Sequence, residues 1–180
     1  IFRILYRNEY KEVHVKIFNT GKLEIPGIQY DNLLNLTLDN LLIILRPLIN
    51  ENLDYNRNDI QTVLINSNFT CHFFIDRFKL TQLLKYKYNL SDIAYDPCSY
   101  PGIQCKFAYH PDNKSHDGIY RKIMIDDTTE DEEANQKWKK ISFMIFRTGS
   151  VLIVGHCNRN VLEIIYNYLK VLLFKEYSNI

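Results

Sequence analysis

The chain has 180 residues, 46% of them hydrophobic and 13% aromatic. That is enough for one compact domain or a closely joined pair of half-domains, and too apolar for a disordered chain. Its formal charge is +1, from 22 basic and 21 acidic residues, so the chain as a whole is not a basic nucleic-acid binder of the histone type, and any such binding has to come from a local surface. Cys71, Cys98, Cys105 and Cys157 have no CxxC spacing, which argues against a zinc ribbon or finger and reads as reduced thiols in a reducing compartment.

In chain order, Ile1 falls inside a segment that reads as a strand and is not preceded by Met, so a fragment with something missing upstream is expected. Residues 13–17 are extended and alternate, with Val13, Val15 and Ile17 on one face and His14 and Lys16 on the other. A Thr20-Gly21 turn then reads as a tight two-residue hairpin. Leu33, Leu34, Leu36, Leu38, Leu41, Leu42, Ile44, Leu45 and Leu48 predict a nearly all-round apolar helix that Pro47 closes. Residues 62–75 read as one long strand interrupted by Asn66-Ser67-Asn68. Asp76 then caps a helix over 77–87, with Phe78, Leu80, Leu83 and Leu84 inward. Two further strands, 91–95 and 103–109, flank a turn-rich Asp96-Pro97-Cys98-Ser99-Tyr100-Pro101-Gly102.

Residues 112–140 read as a solvated insertion. They hold Asp126, Asp127, Glu130, Asp131, Glu132 and Glu133 with no base among them, so the remainder of the chain carries +7. Trp138 is placed to dock this insertion onto the domain. Residues 141–146 and 151–154 form an apolar hairpin, followed by a helix capped by Asn158 or Asn160 and running to about Tyr177. No apolar run reaches the ~20 residues of a membrane span, so no membrane association is expected.

An internal repeat organises these elements. Residues 18–27, FNTGKLEIPG, match residues 146–155, FRTGSVLIVG, at five of ten positions, 128 residues apart. Each copy is preceded by an extended apolar stretch and followed by a helical pattern. The copies differ in patterning: the first alternates, whereas nearly every residue of 141–146 and 151–154 is apolar, so both faces of the second hairpin are greasy. Met144, Phe146, Leu152 and Val154 therefore form a surface that faces away from the helix. Either a second layer or upstream residues cover it, or it is a contact surface for a partner.

Tyr95-Asp96-Pro97-Cys98-Ser99-Tyr100-Pro101-Gly102-Ile103 resembles the stirrup of the second repeat in the TATA-box-binding protein family. Ile60-Gln61 and the strand after it resemble that repeat's first strand, and Phe-x-x-Gly followed by an apolar strand ending in Gly resembles its closing hairpin. The resemblance divides the chain into 1–58, the C-terminal part of a first repeat truncated at its N-terminus plus a linker, and 59–180, a second repeat with the acidic insertion at about 112–140. It is greatest to the TATA-binding-like proteins of large nucleocytoplasmic DNA viruses.

What the resemblance implies is an α+β saddle: one curved antiparallel sheet from two related halves, helices on the convex side. Its concave face would press apolar side chains into the minor groove of A/T-rich double-stranded DNA while aromatic pairs wedge between base steps. Position by position, Tyr100 and Phe146 fall on one wedge pair and Phe18 on the other. Thr62, Leu64, Met144, Leu152 and Val154 fall on the groove-facing sheet, and Arg7, Lys22 and Lys106 on flanking basic positions. Asp96, Pro97 and Cys98 fall where a general factor resembling transcription factor B, with RNA polymerase, would be recruited.

Thr62 stands where the family has a base-contacting Asn, and Pro26 and Val154 stand for Thr. Ser150 replaces a lysine, and Lys16 and Glu24 bring charge to an apolar surface, so relaxed A·T preference is expected. The place of action implied is a cytoplasmic viral factory or virion for a viral protein, otherwise the nucleus. A protein-interaction scaffold that kept the fold but lost DNA binding is the alternative. His156-Cys157 has no third orienting group at usable spacing, and no phosphate loop or paired catalytic carboxylates stand out, so no enzyme, metal or cofactor is expected.

Overall fold

Residues 1–125 and 129–180 are described by the computed structural model, in two units, Ile1–Ile60 and Gln61–Ile180. Asp126 and Asp127 of the acidic run lie outside the described residues.

In the first unit β1 (Phe2–Tyr6) and β2 (Glu9–Val13) pair antiparallel, with Tyr6 opposite Glu9. The two-residue loop between them has Arg7 and Asn8 at φ 51° and 64°, the left-handed pair that matches the twist of a tight hairpin. The Arg7 guanidinium lies 4.5 Å from the Tyr30 ring centre and 5.3 Å from that of Tyr6. A second ribbon is made by β3 (Lys16–Ile17) and β4 (Leu23–Glu24). The helix α1 (Asp31–Leu45) buries Leu33, Thr37, Leu38 and Leu41 along one side and leaves Leu36, Ile43 and Ile44 exposed. Its packing with the hairpin is small: Ile4, Val13 and Leu33 with Phe2, Tyr6, Val15, Ile25 and Ile28 around them.

The second unit holds a five-stranded antiparallel sheet in the order β5 (Ile65–Thr70), β9 (Ser150–Gly155), β8 (Lys139–Phe146), β7 (Gly102–Tyr109), β6 (Ile93–Ala94). One face is packed dry by Ile103, Phe107, Ile141, Phe143, Ile145, Val151 and Ile153. Two helices cover it. The short α2 (Arg77–Gln82), continued by a wider turn to Lys87, contributes Leu80 and Leu84, and α4 (Arg159–Lys175) contributes Val161, Ile165, Leu169, Leu172 and Leu173. At roughly 1.5–3 kcal/mol for each such side chain removed from water, this core dominates the unit. Caps fix the helix starts: Asp76 accepts from the Phe78 and Lys79 amides, both at 3.1 Å, and Asn158 from the Val161 amide at 3.0 Å.

The described residues thus form an α+β protein, with two short two-stranded ribbons in the first unit and one five-stranded antiparallel sheet in the second. β2 stops at Val13 and its chain re-pairs from Lys16, because a ribbon of two-residue strands with charge on one face has too little apolar surface to extend a sheet. The long strand over 62–75 is shorter than expected. Its 71–75 part instead wraps the β8–β9 turn through Cys71 N to Gly149 O (2.9 Å) and Ile75 N to Arg147 O (2.8 Å). Strand β6 shrinks likewise to two residues.

Phe78 points outward and is 67% exposed, since Leu80 and Leu84 already occupy the inward phase of α2. The 112–140 region has order of its own. The short α3 (Glu132–Gln136) is tied back through Asn135, whose amide exchanges two hydrogen bonds with the Ile123 backbone. Trp138 packs 5.1 Å from the buried His110 and 5.2 Å from Tyr120.

Candidate nucleic-acid interface

Alternation along the strands assigns the opposite, helix-free face of the five-stranded sheet. Register brings Asn68, Leu152, Met144 and Gln104 into one row and Asn66, Val154, Ser142 and Lys106 into the next. Leu152, Met144 and Val154 are half-buried by their neighbours, while Asn66, Asn68, Gln104 and Lys106 are exposed. None of the residues that alternation turns to this face along β5, β7, β8 and β9 is acidic. Its centre is apolar, its edges carry amides and hydroxyls, and its cations are Lys106 and Lys140.

Lys140 is held by Asp92 at 2.8 Å, and the pairing keeps the Asp92 carboxyl below its usual range. At one end stand Tyr100 and Phe146, ring centres 5.9 Å apart and tilted 58°, with the Tyr100 hydroxyl 3.5 Å from the Met144 sulfur. Phe146 lies across the strand from Gly102. A Cβ there would come within 3.0 Å of the Phe146 ring and 3.1 Å of the Tyr100 ring. Glycine leaves both rings room that a side chain would press into by a few tenths of an ångström.

The structure thus brings Tyr100, Met144, Phe146, Leu152, Val154 and Lys106 onto one face. Thr62 and Leu64 are not in the sheet: they precede β5 in an exposed segment held to the end of β9 by His156 Nδ1 and Val63 O at 2.9 Å. The asparagines of β5, which read in the sequence as an interruption, are its outward residues instead. Polar Asn66, Asn68 and Thr70 set two apart, with apolar Ile65 and Phe69 between them and the small Ser67 at the middle inward position, were the signal that could have found them.

Phe18 of the first unit is 45% exposed at the tip of the β3–β4 ribbon, with Lys22 beside it. Its loop matches the second hairpin closely. Gly21 N donates to Phe18 O at 2.9 Å and Gly149 N to Phe146 O at 3.0 Å, with φ of 82° and 80°. Both are three-residue loops ending in a left-handed glycine, rather than the two-residue turns expected. The register agrees as well: Lys16 faces Glu24 where, 128 positions on, Met144 faces Leu152. The two charges meet as an exposed ion pair at 3.4 Å.

Asp96, Pro97 and Cys98 are exposed on their turn. The Asp96 carboxylate accepts from the Cys98 amide at 3.0 Å and from the Ser99 hydroxyl; the Ser99 bond first, and then the Cys98 amide, holds its carboxyl below the usual range. Its charge is thereby part of the turn's own structure.

An apolar-centred five-stranded antiparallel sheet backed by helices on its other face makes the second unit an α+β fold. No family model matches the chain. It is similar to a protein named TATA-box-binding protein-like from Acanthamoeba polyphaga mimivirus, with 25% identity over 93% of this chain. The chain spans 44% of the length of that relative.

Proposed function

We propose that this chain is a TATA-binding-like transcription factor that grips and bends A/T-rich duplex DNA in its minor groove. The outward face of the five-stranded sheet would make the contact. The observation that carries this reading is the apolar patch of Leu152, Met144 and Val154 with the Tyr100–Phe146 pair at its end. Such a face suits a widened minor groove, where unstacking costs a few kcal/mol per step and is offset by contact with the bent duplex. Asn66, Asn68 and Gln104 supply hydrogen-bonding groups for base edges and sugars, and Lys106 a phosphate contact. The equal hairpin loops and registers support a second, related half in a saddle, with Phe18 as its wedge. The exposed turn at Asp96–Cys98 is the surface proposed for a factor resembling transcription factor B, and through it RNA polymerase. In this reading the protein is not an enzyme and acts where such a transcription complex assembles.

The test is fluorescence anisotropy on an A/T-rich duplex, titrated with salt from ~50 mM upward. Phe146→Ala with Tyr100→Ala is expected to weaken binding on the order of 100-fold, about 2.7 kcal/mol. The Lys16–Glu24 pair favours the other reading, a scaffold that keeps the fold and binds proteins. Absence of duplex binding at low salt decides for the scaffold.

A further inference from the structure

Away from the outward sheet face, the second unit has a recess of about 470 Å³ bounded by Phe74, Phe78, Arg77, Arg147 and Tyr95, with Ile75 and Ile180 as apolar lining. Two aromatic side chains stand open there: Phe74 is 73% exposed and Phe78 67%. Both are costly to leave in water, and neither has a partner in the core. The arginines around them contact rings and a carbonyl rather than carboxylates. Arg147 lies over the Phe74 ring at 5.7 Å, and Arg77 over the Tyr95 ring at 5.3 Å while donating to the Pro101 carbonyl. Among the described residues neither guanidinium has an ion-pair partner. Lys79 reaches a carboxylate only at 3.9 Å, that of Asp76, which is already committed to the Phe78 and Lys79 amides.

We infer that this recess docks an acidic peptide segment of a partner protein, an apolar side chain seated between Phe74 and Phe78 and its flanking carboxylates on Arg77, Arg147 and Lys79. The charge balance selects this occupant. Three cations face one occupied carboxylate, and a guanidinium spread over a ring still offers its N–H edge to a planar carboxylate. A nucleic-acid strand fits less well. Serial stacking needs several open ring faces. Here Phe74 and Tyr95 each already carry a guanidinium on one face, which among the described residues leaves Phe78 as the one ring of the three without a cation over it. The site shares no residue with the outward sheet face, so it stands or falls independently of DNA binding.

The test uses the 180-residue chain and a fluorescein-labelled synthetic peptide of about 12 residues, Asp and Glu flanking one Phe and one Leu, read by anisotropy at ~50 mM salt. Expected is a dissociation constant in the micromolar range, roughly −8 kcal/mol, and no binding of the same peptide with Lys for every acid. Phe78→Ser and Arg147→Glu are each expected to weaken it roughly ten-fold or more, with the thermal midpoint unchanged because both side chains are exposed. Equal binding of the acidic and basic peptides overturns the proposal, as does wild-type affinity in both variants. So does displacement of the peptide by an oligothymidylate that needs Phe78 and Arg147, which makes the recess a nucleic-acid site. A concentration-dependent dimer broken by Phe78→Ser also overturns it, since the occupant is then a second copy.

Discussion

The loops 19–21 and 147–149 close hairpins with the same glycine geometry and the same strand register, and yet the two hairpins live in opposite circumstances. The β3–β4 ribbon has two residues per strand, an ion pair on one face and open space around Gly21. The β8–β9 hairpin sits at the centre of a sheet, three of its inward side chains fully buried on β8 alone, its turn gripped by the 71–75 backbone. A loop can therefore keep its geometry on local bonds and a left-handed glycine, while the strands it joins are decided by what covers them. Local chemistry sets the turn; burial sets the sheet.

Substituting the two glycines separates those contributions most sharply. Alanine at either position costs roughly 1–2 kcal/mol for its left-handed backbone. At Gly149 its Cβ would also lie 2.3 Å from the Phe73 carbonyl oxygen, forcing the turn away from 71–75. We expect Gly149→Ala to lose about 4 kcal/mol and Gly21→Ala about 1 kcal/mol, read by chemical denaturation. Equal losses would mean that the wrapped segment contributes nothing.

Exchanging the facing pairs comes next. Met144→Lys with Leu152→Glu places the exposed ion pair of one hairpin on the other, and is expected to cost about 2 kcal/mol in duplex affinity. Lys16→Met with Glu24→Leu leaves stability within about 1 kcal/mol, because a pair this exposed contributes little. If it tightens duplex binding, the first ribbon also faces the DNA.

The support behind the second hairpin responds to acid. Glu176, buried at the end of α4, accepts from Lys87 and Tyr88, both at 2.7 Å, and from Asn179. The Lys87 bond first, then Tyr88, lowers its carboxyl from 4.5 to about 2. A carboxyl lowered on folding stabilises fully above its unfolded value, and that part is lost as pH falls through 4.5 toward 2. Glu176→Gln should flatten the acid limb of the midpoint-against-pH curve. An unchanged acid limb would show that this clamp is not what acid breaks.

The smallest effect is at the thiols. Burial pushes the Cys105 thiol up to about 12, so a maleimide at neutral pH should label the exposed Cys98 first and leave Cys105 unmodified until the unit unfolds. Cys98→Ser should change stability by less than about 0.5 kcal/mol.

Much of this was legible in the residues. The cap at Asp76, the choice of Asn158 or Asn160 for the last helix, both hairpins, the long C-terminal helix and the outward apolar residues of β8 and β9 follow from patterns of two to four residues, which local physics controls. Phe78 was misread because an apolar residue on a short helix signals the core only when its phase agrees with its neighbours, and Leu80 and Leu84 had taken that phase. The shortened β5 depends on hydrogen bonds from 71–75 to Arg147 and Gly149, some seventy residues on, and the placing of Thr62 and Leu64 on the contact between Val63 and the distant His156. The sequence shows both charges of the Lys16–Glu24 pair but not that they meet, since meeting depends on register. Asp126 and Asp127 are outside what is described.

The nearness of the Tyr100 ring has a consequence for how Phe146 meets any ligand. An aromatic ring free on a sheet surface samples several rotamers, and confining it on contact costs roughly 0.5–1.5 kcal/mol. With the Tyr100 ring alongside, its centre 5.9 Å away, some of those rotamers are closed to Phe146 before any ligand arrives. A ligand at that end then meets a smaller ordering cost than on an open sheet.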